Sequence, residues 1–344
     1  MKRPTISDLA DASGVSISTV NRLLHGTGTV RSDTIDRIAL AAEQIGFYGL
    51  GALRERKRES LPARKLGFLL QQSHRPIYQM FGESLLRASK RRADYLIRPQ
   101  LQFEDDLAPE AVAENLIALG STVDAVAVIA ADHPLINQAV DQLAVQGVPV
   151  VTYITDLSSP NRAGHVGTNN WKLGRTAAWF IAGTSRQSGT VAAFVGNHRY
   201  QCQDIADASF RSYFREKAPD FVVSEAIPTH EEPEVAYQVV KRIAADFSDL
   251  VGIFVSGGGI SGVLKAMREM DEKQRSSIRL VCRDIGPETR KGLTEGLIVA
   301  ALCHPVEPSS EALIDSLLTA VEHREAGAPV QKLLPFEIVT PESV

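Results

Sequence analysis

The 344-residue chain is 44% hydrophobic and 23% charged, a globular balance that excludes a disordered or fibrous protein, and at about 150 residues per domain it predicts two or three domains. No run approaches the ~18 apolar residues of a membrane span, and the start Met1-Lys2-Arg3-Pro4-Thr5-Ile6 has no apolar stretch behind its two cations, so neither a secretory leader nor a membrane partner is expected and the expected location is the cytoplasm. The net charge of −4 hides an asymmetry: residues 1–64 carry ten Lys or Arg against seven Asp or Glu, the rest 27 against 34, which predicts a small basic end that meets phosphate on a larger acidic body.

Ile6, Leu9 and Ala10 fall at i, i+3 and i+4, and Thr5 with Asp8 three residues on is a capping pair, so a two-turn helix is predicted from Thr5 to Ala12. Gly14 can take a positive φ in the following turn, and Val15 can plug the angle between two helices. Ser16 caps a second helix through Leu24, with Val20, Leu23 and Leu24 inside and Ile17, Ser18, Asn21, Arg22 and His25 outside. After Gly26-Thr27-Gly28-Thr29 a third helix is predicted from about Ser32 to Ile45, with Ile35, Ile38, Ala39, Ala42 and Ile45 inward and Gly46 as its C-terminal cap.

Two short helices on a tight glycine turn, braced by a third, make a helix-turn-helix, whose second helix enters the major groove of DNA by its N-terminal residues. The stretches Thr5-Ile6-Ser7-Asp8-Leu9-Ala10, Ala12-Ser13-Gly14-Val15-Ser16, Thr19-Val20-Asn21-Arg22-Leu23-Leu24 with Gly26, and Ile38 to Gly46-Phe47 resemble the lactose-repressor (LacI/GalR) family of bacterial regulators. The resemblance implies double-stranded operator DNA as a partner and assigns base reading to Ile17, Ser18 and Arg22. Arg22 has the donors for a bidentate contact to guanine, Ile17 suits a thymine methyl, and Ser18 serves several bases. Ser16, Thr19 and Asn21, with His25 and Arg31 on the next turn, suit phosphate oxygens, and Thr5 is counted with this DNA-facing set.

In the family, the link after the third helix usually carries a Pro-Asn pair and then Ala-Arg-x-Leu, a hinge helix that forms on operator DNA and wedges leucine into the minor groove. The link here departs from that pattern: Arg54 matches, but Leu53 stands at the alanine position and Arg56 at the leucine position. Three readings stay open. Leu53 or Leu50 wedges in a shifted register, Arg56 enters a narrow A·T-rich groove, or residues 49–63 are a flexible linker with a basic face.

From Leu66 onward, short apolar runs alternate with amphipathic stretches, the pattern of βαβ units. In chain order the pattern predicts strand 66–70, helix 81–92, strand 95–98, helix 109–119, strand 125–129, helix 133–146, strands 148–153 and 165–166, helix 173–182, strand 191–195 and helix 205–217. It continues with strand 222–226, helix 233–247, strand 252–255, helix 259–270, strands 278–281 and 300–302, helix 310–324 and strand 336–339. So many strands exceed one ordinary sheet, and two parallel sheets dividing near residue 160 are expected. With the resemblance, this implies a small all-α helix-turn-helix head over residues 1–48, a hinge or linker over 49–63, and a two-lobed α/β periplasmic-binding-protein-like body over 64–344. The N-lobe is expected over about 64–160 with returning C-terminal segments, and the C-lobe over about 161–290.

Ligands of parallel sheets sit beyond the carboxyl ends of the strands, so a cleft between facing lobes gathers strand-end loops from both. The candidate effector residues are His74, Tyr78, Asp132, His133 and Asp156 from the first lobe and Asn170, Trp171, His198, Ser256 and Asp284 from the second, with Gln72, Thr155, Asn169, Asn197, Tyr200 and Arg283 beside them. Asn, Asp, Arg and aromatic rings suit a polyhydroxy ligand, since hydroxyls take paired hydrogen bonds and the CH face stacks on a ring. The family resemblance implies that Asp284 holds effector hydroxyls and that Asn170 matches a common Asp-Asn-x-x-x-Gly pattern. The Arg-x-x-Gly-Phe motif, whose arginine usually holds the effector, appears here as Ala206-Asp207-Ala208-Ser209-Phe210; with that arginine missing, either the ligand differs or Arg199 or Arg283 takes its place.

Gly257-Gly258-Gly259-Ile260-Ser261-Gly262 is a literal G-x-G-x-x-G after a predicted strand, with Asp284 22 residues beyond Gly262, but too few residues follow Asp284 to complete a dinucleotide-binding sheet. Cys202, Cys282 and Cys303 are far apart without C-x-x-C spacing and read as buried thiols. No catalytic, metal or cofactor set is expected. The sequence reads as a non-enzymatic regulator, dimeric because one head with three base-reading residues cannot alone reach operator affinity, that represses carbohydrate-uptake or catabolism genes and is switched by a carbohydrate-like effector. The rivals are a solute-binding protein and a Rossmann-type enzyme.

Overall fold

The capping pair at the start of the chain forms as its spacing requires. In the computed structural model, which describes residues 3–27, 29–323 and 329–344 and leaves out the side chains of residues 32, 50, 54 and 56, the Thr5 hydroxyl accepts from the Asp8 N–H while the Asp8 carboxylate accepts from the Thr5 N–H at 2.7 Å. The chain divides into two compact units, Met1–Lys65 with Ser89–Arg98, and Leu66–Ala88 with Pro99–Val344.

The first unit opens on three helices, α1 (Ile6–Ser13), α2 (Ile17–His25) and α3 (Ser32–Ile45). Gly14 ends α1 at φ 64° and returns its N–H to the carbonyls of Ala10 and Asp11, a left-handed cap that glycine adopts without Cβ strain. Leu9, Val20, Leu23, Ile35, Ile38 and Phe47 form the core. The segment left open between wedge and linker is a fourth helix, α4 (Leu50–Glu59), which packs on α2 and α3. Leu53 lies fully buried in the core, and Lys57 pairs with Asp36 at 2.6 Å. Leu53 is therefore a packing residue of the head in this state, not an exposed wedge, because the apolar core of the three helices is open to it on that side. The side chains of Leu50, Arg54 and Arg56, named above for the minor groove, lie outside the described residues.

After α4 the chain runs through β1 (Ala63–Gln71), α5 (Pro76–Arg91) and β2 (Leu96–Glu104), each of which has residues in both units, and then, in the second unit, through α6 (Pro109–Gly120), β3 (Ala125–Val128), α7 (Pro134–Val145), β4 (Val150–Tyr153) and β5 (Gly164–Thr168). Next come α8 (Asn170–Thr184), β6 (Thr190–Val195), α9 (Gln201–Lys217), β7 (Val222–Val223), β8 (Ile227–Pro228), α10 (Pro233–Asp246) and β9 (Leu250–Val255). The chain continues with α11 (Ile260–Arg268), α12 (Glu272–Ser277), β10 (Arg279–Arg283), α13 (Pro287–Thr294), β11 (Ile298–Cys303), α14 (Val306–Glu322), β12 (Val330–Leu334) and β13 (Glu337–Val339).

Among the described residues these strands form two sheets, ordered β12-β5-β4-β3-β1-β2 and β13-β11-β10-β9-β6-β7, with β8 beside β6. Pairing is parallel from β1 through β5 and β12 and from β6 through β9, β10 and β11, with Leu66 opposite Ala125 and Leu280 opposite Ile253; β13 runs antiparallel to β11. Strands covered on both faces read as continuous apolar runs, and β3, β4, β6 and β9 are buried along their whole length.

The division falls later than residue 160. β5 pairs with β4 in the first sheet, so the chain first crosses to the second lobe between Thr168 and Asn170. It returns between Cys303 and Val306, since α14 packs on β3, β4 and β5, and crosses a third time between β12 and β13. The second lobe thus includes β11 and β13, beyond the expected end at 290. Three elements give no strong sequence signal: α12 buries none of its six residues, α13 buries only Thr289, Gly292 and Leu293, and β12 alternates between half-buried and exposed positions. The expected strand 222–226 is reduced to the two-residue β7.

Removing the Leu53 side chain leaves a cavity in the head, and Leu53→Ala is expected to cost about 2 to 4 kcal/mol of its unfolding free energy. Hydrogen exchange on the full chain checks this: amides of α2 and α3 should lose protection while those of β3 and β9 keep theirs, and unchanged protection in α2 and α3 would show that α4 packs there without stabilising the head.

Candidate functional site: a recognition helix and a cleft between two lobes

The Ser16 hydroxyl caps α2 by accepting from the Thr19 N–H and bonds the hydroxyls of Ser18 and Thr19, each at 2.9 Å. From this anchored start Ile17, Ser18 and Arg22 face solvent, Ile17 with 49% of its surface exposed. Arg22 donates to Thr19 at 3.2 Å, so its guanidinium is held along the helix surface. His25 and Arg31 are exposed, Asn21 and Thr19 half-buried, and Thr5 spends its hydroxyl in the capping box. Sequence reasoning missed Arg37: from α3 its Nη2 donates to the carbonyls of Ser13 at 2.7 Å and Gly14 at 3.1 Å. It thereby fixes the turn that sets the angle between α1 and α2.

A partly open cavity of about 390 Å³ lies in the second unit. Of the ten candidate effector residues, His74, Tyr78, Ser256 and Asp284 line it, as do Gln72, Thr155, Tyr200 and Arg283. The others are engaged elsewhere. His133 caps α7 through Nδ1, and Asp156 accepts from Thr152 at 2.7 Å and from both Nε and Nη2 of Arg162. Asn170 is packed at the start of α8 beside Ser209, Trp171 stands on the outside of that helix, and His198 is exposed opposite Asp204. Asp132 sits where the lobes touch, accepting from Asn137, Ser158 and Gln201. Asp132, His133 and Asp156 are polar residues at strand ends doing helix-capping or loop-closing work. Arg199 is exposed and donates to the Asp132 carbonyl, and Ala206, at the place of the missing arginine, is buried in the core between α8 and α9.

Two networks cross the cavity. In the first, Gln71 on β1 offers one carboxamide oxygen to Tyr78 at 2.9 Å and to Tyr200 of the other lobe at 3.1 Å. Arg75 forms a salt bridge across the cleft to Glu231, which also accepts from Gln203 at 2.8 Å. Burial works against the Arg75 charge, but Glu231 outweighs it and raises the Arg75 pKa; burial and then Glu231 push the Tyr78 hydroxyl well above its usual range. The glycine run serves this pair, since a Cβ on Gly258 would collide with the Arg75 guanidinium.

In the second network, His304 donates Nδ1–H to Asp284 at 2.7 Å, and its Nε2 faces Arg283 Nη2 at 2.6 Å. Only a neutral ring protonated at Nδ1 satisfies both contacts. Burial lowers the His304 pKa, Asp284 opposes and Arg283 reinforces it; burial raises that of Asp284, but His304 outweighs it and holds the carboxyl below its usual range. The five non-glycine residues with left-handed backbone among the described residues are Gln72, Ile154, His230, Glu231 and Asp284. Four of them line the cavity and His230 adjoins it. Such backbone costs about 1 to 3 kcal/mol per residue and concentrates at functional sites.

A family model for the periplasmic binding protein domain matches residues 67–325, and the model for bacterial regulatory proteins of the lacI family matches residues 5–49. The chain belongs to the lacI family of bacterial regulators. A stretch of 90 residues is 32% identical to the maltose regulon regulatory protein MalI of Escherichia coli K12; that match spans 25% of this chain and 25% of MalI. Two solved structures share the fold of the body. One is GanP, a glucose-galactose binding protein from Geobacillus stearothermophilus, with 16% identity and a TM-score of 0.74, covering 82% of this chain and 99% of that one. The other is a solute-binding protein from Burkholderia graminis in complex with D-arabinose, with 20% identity and a TM-score of 0.72, covering 81% and 96%.

The buried histidines set a pH dependence. Burial lowers the pKa of both His304 and His165 below 6.5, with Asp284 and Asp156 opposing. The unfolded chain therefore binds more protons as the pH drops below 6.5, so the stability these neutral rings contribute is present above 6.5 and lost as the pH falls through their folded values. The urea midpoint of the body is expected to fall between pH 7 and pH 5, and to fall less in the His165→Gln, His304→Gln double variant; a midpoint independent of pH, or an equal fall in the variant, would contradict the assignment.

Proposed function

We propose that the chain is a sequence-specific DNA-binding transcriptional regulator, working in the cytoplasm as a homodimer, whose operator affinity is set by a small carbohydrate-like effector bound between the two lobes. The observation that carries this reading is the coexistence of a solvent-facing second helix on a lacI-family head with a cavity in which hydrogen-bonding groups from both lobes converge among apolar walls. At about 390 Å³ the cavity is in the range of small-molecule sites. Tyr78, Phe81, Ile129 and Ile154 offer apolar faces to a sugar ring, and Arg283, Asp284, Gln72 and Glu231 offer donors and acceptors to its hydroxyls. The proteins of like fold described above bind glucose and galactose or D-arabinose by their names, which supports a sugar of that size. Repression of carbohydrate uptake or catabolism, relieved by the effector, is the proposed sense of the switch.

A single head with three base-reading side chains is too small for operator affinity, so two heads on a two-fold site are proposed. An effector that prefers one arrangement of the lobes by about 1 to 3 kcal/mol changes DNA affinity about 5- to 150-fold. The fluorescence anisotropy of a labelled duplex from the region upstream of the chain's own reading frame tests the reading at fixed salt. Arg22→Ala is expected to lose about 1 to 3 kcal/mol of specific binding and to relax discrimination at one base pair, whereas Arg31→Ala weakens all duplexes alike. Equal loss on cognate and scrambled duplexes in Arg22→Ala would remove Arg22 from base reading.

A further inference from the structure

The second network leaves donors over. Arg283 is 7% exposed, and both hydrogens of its Nη2 are used, one toward His304 Nε2 at 2.6 Å and one toward Thr168 Oγ1 at 3.1 Å. Its Nε and Nη1 are buried without a hydrogen-bond partner, and the residue lines the cavity. Three N–H groups of a buried guanidinium without acceptors are a heavy penalty in a finished structure, because the desolvation of a charged donor is not recovered. The two contacts that are made fall at separate crossings between the lobes, Thr168 at the end of β5 and His304 just after β11.

We propose that Arg283 is the effector-orienting residue of this cleft, taking the place of the arginine absent from α9: its Nε–H and Nη1–H groups receive oxygens of a neutral polyol, while Nη2 anchors it to two of the three crossings. This rests on the reading of the cleft as an effector site. Neutral oxygens are favoured over a carboxylate or phosphate because the enclosed charges are already matched. Arg75 faces Glu231, and Arg283 is balanced by Asp284 through the neutral His304. An added anion would leave an uncompensated charge out of water. Because the same guanidinium touches ligand and crossings, a ligand that fills its free donors also fixes the segments about which the lobes move.

The test is isothermal titration of the full chain with a panel of aldopentoses, aldohexoses and their alditols, the matching aldonic acids, and single-deoxy analogues of whichever neutral compound binds. Arg283→Met is expected to weaken the best neutral compound at least tenfold, and Arg283→Lys, the second variant should the first not fold, to weaken it nearly as much. One deoxy analogue should bind the wild type more weakly than the parent but bind the variant as well as the parent does, a coupling that a merely structural role of Arg283 would not produce. Affinity in a folded Arg283 variant within threefold of wild type, or equal losses for every deoxy analogue, would overturn the proposal while leaving the cleft as the effector site. Tighter binding of an aldonic acid, lost in the variant, would overturn the neutral class. No binding to the wild type by any compound would overturn the effector reading and this assignment with it.

Discussion

A charge taken out of water has to be met by another charge or by hydrogen bonds, and the cleft is organised around two guanidiniums that meet this demand differently. Arg75 is satisfied from the opposite lobe by Glu231, itself held by Gln203, so the pair joins the lobes directly. Arg283 is satisfied on one side only, by Thr168 and by a histidine that burial keeps neutral. Much else follows from seating these groups. Gly258 has to be glycine for Arg75 to pass, and Asp284 and Glu231 adopt left-handed backbone.

The head solves a different problem, the angle between two short helices. Neither α1 nor α2 is long enough to be stable alone, and their crossing is set by Gly14 in left-handed conformation with Arg37 bound to the two carbonyls beside it. The core beneath is closed by Leu53 of α4, which draws the segment after α3 into the head. The residues of α2 proposed to read bases are thus presented from a frame held by Gly14, Arg37 and Leu53, three positions that do not touch DNA in the proposed arrangement.

Local interactions were the legible part of the sequence. The Thr5–Asp8 capping box, the Ser16 cap and Gly14, Gly26 and Gly46 each follow from residues within four positions of one another, and the buried strands follow from short apolar runs between amphipathic stretches. What could not be read depends on distance along the chain. Arg75 and Glu231 are 156 residues apart and become partners only when the lobes face each other. Gln71, Gln203 and His304 carry no motif, and nothing in their neighbourhoods marks them. Residue type at strand ends points Asp132, Asp156 and His133 to the cleft, but a strand end is also where a helix or loop must be capped, and that local demand claims them. Asp284 and Arg283 were legible because the strand before them is strong and ends on a charged pair, although which hydrogens Arg283 has to spare is a property of the folded hinge.

Linkage provides the most direct measurement of the central claim that occupancy of the cleft and of the operator are coupled. The dissociation constant of the operator duplex is measured with and without saturating effector, and that of the effector with and without saturating duplex, at one salt concentration. The account predicts that the two ratios agree, at between about 5 and 150. Ratios of one in both directions, with each ligand still bound, would show a head and a cleft that work independently and would contradict it.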